Sequence, residues 1–158
     1  MLVVADSSPL IGLCRIGMLH LLQEIFEQVI VPEAVWREIA SDDASKAGVQ
    51  ELQEASWIER RSVTDVRLVH LLRKDLGPGE SEAIVLAREI AADFIFMDER
   101  LGRSAAQRLG LRCVGLVGFL IEGKRRGLIA DASGTANLLR EKAGFWVSHE
   151  LLDLLRKS

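Results

Sequence analysis

Short apolar runs alternating with stretches of helical periodicity predict an α/β protein, a three-layer sandwich with a mainly parallel central sheet and extra helices at the C-terminal end. Two of the apolar runs, Leu2-Val3-Val4-Ala5 and Phe94-Ile95-Phe96-Met97, end on an aspartate, Asp6 and Asp98. Open α/β sheets build their ligand sites at the carboxyl ends of strands, so both acids stand where a site is expected. The 158 residues suit one domain over 1–158, long enough to bury a real core.

The elements follow in order. Leu2–Ala5 is a strand of small or branched apolar residues, and Ser8-Pro9 reads as an N-cap followed by the first helical residue. That predicts a helix over Pro9–Ile16 and fixes Asp6 in the crevice at the strand end. A helix over Met18–Ile25 leads to a strand at Gln28–Val31, and Pro32 opens a helix over Pro32–Ala40. A helix over Ala44–Ala55 and a weaker strand at Trp57–Arg61 come next, then a helix over Val66–Lys74. Gly77-Pro78-Gly79 is the sharpest punctuation, a loop before a helix over Glu80–Ile90 rather than a domain linker. The strands Phe94–Met97 and Arg112–Val114 and the helices Leu101–Leu109 and Val117–Arg126 complete the alternation. The tail adds helices at Ala132–Lys142 and Ser148–Arg156, the second capped by Ser148 with Glu150 in its first turn. Phe145-Trp146-Val147 reads as a short strand or as a hydrophobic anchor.

Composition narrows the function classes. A net charge of −3 supplies no global field for nucleic acid, so any such binding must use a local basic patch. Apolar stretches such as Val114 to Ile121 are far too short to span a bilayer, and no basic-then-apolar leader precedes the first strand; a cytoplasmic protein with no membrane partner is expected. Cys14 and Cys113 form no CxxC pair and read as buried inert thiols. His20, His70 and His149 are scattered, which argues against zinc and for a hard ion held by carboxylates.

Four acids form the candidate constellation. Asp6 and Asp98 end strands. Glu38 lies one turn beyond Ala34 and Val35 on the inward line of its helix, where an acid is costly unless something neutralises it. Glu80 starts the stripe Ala83, Ile84, Ala87 that faces the sheet, whereas Glu82 points about 160° away in an ideal helix. Glu80 is therefore preferred as the third acid, with Glu82 as a nearby second. Each acid also has a plain structural use: Asp6 and Asp98 as helix caps, Glu80 and Glu82 as charges suited to a helix N-terminus, Glu38 as a solvated residue at the edge of its stripe. Four close carboxylates cannot all ionise without a compensating charge, and Mg²⁺ or Mn²⁺ supplies it. Such ions polarise a phosphodiester and activate water, which points to metal-assisted phosphodiester hydrolysis. Arg103, one turn past the second aspartate, is placed either to touch a scissile phosphate or to neutralise Asp98 or Glu99.

With these residues located, the chain resembles a PIN domain, in particular the compact prokaryotic PIN-like group formerly of unknown function. The resemblance rests on Asp6-Ser7-Ser8-Pro9-Leu10-Ile11, Val31-Pro32-Glu33-Ala34-Val35-Trp36-Arg37-Glu38, Leu76-Gly77-Pro78-Gly79-Glu80-Ser81-Glu82-Ala83-Ile84 and Met97-Asp98-Glu99-Arg100-Leu101-Gly102-Arg103. It covers roughly Met1 to Leu128, with residues 129–158 a loosely matching helical extension. It implies a Mg²⁺- or Mn²⁺-dependent ribonuclease, of a kind often found as the toxin of a toxin–antitoxin pair. RNA would be the substrate and an antitoxin protein a partner, with homodimerisation left open. Its acidic positions match Asp6, Glu38, Glu80 (or Glu82) and Asp98, and its small hydroxyl position matches Ser8. Leu116 departs from the group, which often has a threonine there, and the third acid is a glutamate where an aspartate is typical.

Two other function classes compete. A catalytically silent PIN-fold module that binds nucleic acid or protein would keep the fold without the chemistry. A phosphatase with an aspartyl nucleophile usually needs a second Asp two residues after the first, and that position is Ser8.

Overall fold

The structure is a computed structural model that describes residues 1–46 and 48–158. Five strands, β1 (Leu2–Ala5), β2 (Gln28–Pro32), β3 (Ile58–Arg61), β4 (Phe94–Phe96) and β5 (Cys113–Val114), form one sheet in the order β3-β2-β1-β4-β5. Every pairing is parallel. The described helices are α1 (Ser7–Arg15), α2 (Leu21–Ile25), α3 (Glu33–Ala40), α4 (Val49–Gln53), α5 (Val66–Leu72), α6 (Pro78–Glu89), α7 (Arg100–Arg108), α8 (Leu116–Arg125), α9 (Ala132–Ala143) and α10 (His149–Lys157). The expected α/β sandwich is present, including the weak fifth strand.

The central strands are unbroken apolar runs because both faces of a parallel sheet are covered. Val3, Val4, Ala5, Ile30, Val31, Ile95 and Phe96 are all fully buried. Helix α6 lies over β1, β2 and β4, flanked by α3, α5 and α7. Helix α2 packs on β2 and against α8, and α9 and α10 close over α8. Phe96 meets Phe119 of α8 at 5.4 Å and Phe26 at 6.0 Å between ring centroids, an aromatic cluster that joins sheet to helix.

Element edges depart from the sequence reading for local reasons. Helix α1 begins at Ser7, because the Asp6 carboxylate, not Ser8, accepts the first free N–H. Pro9 then sits inside the first turn, where its missing N–H would have had no helical partner. Pro32 closes β2 in extended conformation and caps α3 instead of beginning it. The expected helix over Ala44–Ala55 shortens to α4, and Ala47 of that stretch lies outside the described residues. The expected helix over Met18–Ile25 shortens to α2. Phe145-Trp146-Val147 forms no strand; Phe145 packs on Gly12 of α1, where a β-carbon would come within 2.7 Å of the ring. Burial pushes both thiols up, Cys14 to about 11, so neither is poised as a thiolate.

The Phe26–Phe96–Phe119 cluster generates a stability prediction. Phe96→Ala should cost about 3–5 kcal/mol, the range for emptying a buried aromatic site. Urea unfolding should show a lower midpoint at an unchanged m value.

Candidate active site

Asp6 leaves β1 with its side chain 4% exposed. Its N–H donates to the Phe96 carbonyl at 2.9 Å, which extends the β1–β4 pairing to the acid itself. Its Oδ1 accepts the Ser7 N–H at 2.9 Å. Beyond β4, the N–H of Met97 donates to Val114, and Asp98 follows. Both Asp98 oxygens accept the Leu116 N–H, at 3.0 and 3.3 Å, so the start of α8 holds this acid in place. Gly115 makes that approach feasible, since a β-carbon there would stand 2.8 Å from Asp98 Oδ1. The leucine at 116 thus serves the site through its backbone, with its side chain in the core.

Two glutamates come from helices. Glu38 of α3 accepts the Ser7 hydroxyl on Oε2 at 2.5 Å and the Gly79 N–H on Oε1 at 3.1 Å. A β-carbon at Gly79 would collide with this carboxylate. Glu80, in the first turn of α6, reaches toward α7; a β-carbon at Gly102 would lie 2.8 Å from its Oε2. That Oε2 is buried and has no hydrogen-bond partner among the described residues. Glu82 is directed elsewhere: its Oε1 accepts the Ala34 N–H at 3.2 Å, at the start of α3. The structure therefore groups Glu38 and Glu80 with the two aspartates and gives Glu82 a capping contact outside the group.

Ser8 is exposed and, with Asp98 and Arg100, lines a cavity of about 760 Å³ that Asp98 alone of the four acids reaches. Arg103 is half-buried; its Nη1 donates to the Met97 carbonyl at 3.0 Å and its charge faces Asp98. Arg103 also lines open surface together with Asp98, so both uses read from the sequence, phosphate contact and neutralising Asp98, remain within its reach. Ser7, Gly79, Gly102 and Gly115 escaped the sequence reading as site residues. A glycine's role here is to leave room, and no local pattern announces that.

The protein-family model described as a PIN domain matches residues 2–158. The chain belongs to the PIN domain family. No curated protein and no solved structure matches it. PIN domains are generally nucleases and typically use divalent metals. The match runs through α9 and α10, beyond the Leu128 limit of the sequence resemblance. Among the described residues no helix is long and apolar enough to cross a membrane.

In this PIN domain the acids are close enough for Glu38, Glu80 and Asp98 to act on Asp6. Burial, and then the charges of Glu38, Glu80 and Asp98, push the Asp6 carboxyl up to about 7 against the pull of the Ser7 N–H. Burial raises Glu80, with Glu99 and Glu38 adding to it and the Gly77 backbone opposing. Burial also raises Asp98, although the Leu116 N–H and Arg103 act the other way. Among the described residues no three carboxylates, histidines or cysteines stand close enough to enclose an ion by themselves. A Mg²⁺-type ion needs no such cage, because it binds through one or two carboxylates and keeps several waters. The donor set fits that ion: hard oxygens, repelling one another, with the unpartnered Glu80 Oε2 available as an acceptor. One or two of Asp6, Asp98 and Glu80 would hold it directly and the rest through its waters, with Glu38 braced behind them by Ser7 and Gly79.

The Asp6 shift fixes a pH dependence. Its carboxyl binds a proton more tightly folded than unfolded, so between about pH 4 and 7 the native state carries more protons. Stability of the metal-free protein should therefore fall as pH rises through that window, with the full penalty present above it. Melting temperatures in EDTA from pH 5 to pH 8 should decline for the wild type and decline less for Asp6→Asn, which carries no charge to bury.

Proposed function

We propose that this PIN domain is a Mg²⁺- or Mn²⁺-dependent endoribonuclease that hydrolyses RNA phosphodiester bonds. The observation that carries the reading is the acid group beyond the ends of β1 and β4, in which Asp6 is buried within reach of the charges of Glu38, Glu80 and Asp98 and Glu80 Oε2 has no hydrogen-bond partner among the described residues. A bound divalent ion would supply the neutralising charge, polarise the phosphodiester and lower the pKa of water. Asp6, Glu80 and Asp98 supply the oxygens that would hold it, directly or through its waters. Ser8 and Arg100 face the open cavity next to Asp98, where they can bond and orient a phosphate. Arg103 keeps the Met97–Asp98 turn in position through the Met97 carbonyl.

The same reading includes a cytoplasmic working place and a toxin role, with an antitoxin protein as partner. RNA-cleavage assays on mixed single-stranded RNA with Mg²⁺, Mn²⁺ and EDTA test the catalytic core of it. Asp6→Asn should abolish metal-dependent cleavage and the metal-induced rise in melting temperature, while the metal-free variant melts at or slightly above the wild-type temperature. An equal metal-induced shift and equal activity in both proteins would remove Asp6 from the site and the nuclease reading with it. If metal binds and no RNA is cut, the chain is instead a silent PIN-fold binding module.

The two neighbouring glutamates separate by role. Glu80→Gln should lower cleavage by at least about a hundredfold, as expected when a metal-holding charge is lost. Glu82→Gln should stay within about threefold of wild type, since an amide oxygen can still accept the Ala34 N–H. Single-turnover rates at saturating Mn²⁺ measure both.

A further inference from the structure

The cavity beside Asp98 has a wall that the acid group does not use. Its apolar side is made by Ile11, Val117 and Phe145, and Trp146 stands at its edge. Trp146 is 82% exposed, the most exposed large hydrophobic side chain among the described residues. Indole rings are rarely left in water, because they bury a large apolar area when they can.

The exposure is built into the backbone. Gly144 ends α9 in the left-handed region at φ +70°, and the Phe145 N–H returns to the Leu139 carbonyl at 3.2 Å. Phe145 is seated in the space left by Gly12, and three residues later Ser148 caps α10 by accepting the Leu151 N–H. Trp146 is thus carried between two anchored helix ends, with its neighbour turned into the fold and its own ring turned out. On the same cavity stands Arg100, exposed and without an ion pair among the described residues. An aromatic face, a guanidinium with no ion pair among the described residues and, of the acid group, Asp98 stand on one cavity and match successive parts of a polynucleotide: base, phosphate and scissile bond.

We propose that Trp146 is a base-stacking residue that selects single-stranded RNA and sets its path past the acid group. This rests on the nuclease reading for the identity of the polynucleotide. A duplex is disfavoured, because its bases are stacked on one another and present no free face to the indole.

The test measures binding apart from cleavage. Anisotropy of a fluorescein-labelled ten-nucleotide oligoadenylate in EDTA at low salt is compared with an abasic strand of equal length and a blunt duplex. Trp146→Ala should weaken oligoadenylate binding about tenfold, within the range for loss of one base–aromatic stack, and Trp146→Phe should recover most of it. The abasic strand should bind wild type and Trp146→Ala equally, and both should melt at the same temperature. In Mn²⁺, Trp146→Ala should raise the KM for cleavage of the same RNA while kcat changes little. Equal affinity of wild type and Trp146→Ala for oligoadenylate, or an equal loss on the abasic strand, overturns the stacking role and leaves the nuclease reading intact. Trp146-dependent binding without any cleavage supports the stacking role and sinks the nuclease reading. A wild-type protein that neither binds nor cuts RNA overturns both.

Discussion

Parallel pairing of β1 with β4, carried one residue further by the bond from the Asp6 N–H to the Phe96 carbonyl, is the constraint on which the acid group depends. From β1 the chain moves outward to β2 and β3 on one side, then returns to place β4 and β5 on the other. The sheet order therefore reverses beside β1, and a crevice opens between the loops leaving β1 and β4. Asp6 and Asp98 are the residues in those two loops. Neither acid would meet the other if β4 had been added outside β3.

Bringing like charges together at buried positions is unfavourable, and the fold offsets it with helix N-termini. Asp6 is bonded at the start of α1, Glu38 at the start of α6 and Asp98 at the start of α8. Each N-terminus offers free N–H groups and a partial positive charge. The compensation is incomplete, as the upward shifts of Asp6, Glu80 and Asp98 show. Gly79, Gly102 and Gly115 are part of the same design, since each keeps a β-carbon out of space that a carboxylate occupies.

The C-terminal helices shape the entrance without contributing acids. Helix α9 packs against α1 and α8, and the chain then turns through Phe145 and Trp146 before α10 returns to α8 and α9. Leu139, Leu152 and Leu155 seal these contacts in the core. The wall of the cavity is thus tied to α1, the helix that starts at Asp6. Rigid attachment of the wall to the helix that Asp6 caps keeps the distance between the cavity wall and that acid fixed.

Much of this was readable from residue order. Continuous apolar runs ending in aspartate identified β1 and β4 and located Asp6 and Asp98, because strand burial and strand-end sites are local consequences of the pattern. The stripe Ala83, Ile84, Ala87 oriented Glu80 inward, since helical period alone sets which residues share a face. Helix starts were misjudged where a side chain had two uses: Asp6 took the capping role that Ser8 was expected to fill, a choice decided by the extended backbone at the end of β1. The direction of Glu82 toward Ala34, the bond from Ser7 to Glu38 and the burial of Glu80 Oε2 were beyond any local reading. These depend on α3, α6 and α7 lying side by side, a placement made by long-range packing across the sheet. The sequence by itself determined the alternating architecture and the supply of acids; only the tertiary structure decided which acids meet, what holds each one and which oxygen is left unpaired, because those properties belong to distances between segments far apart along the chain.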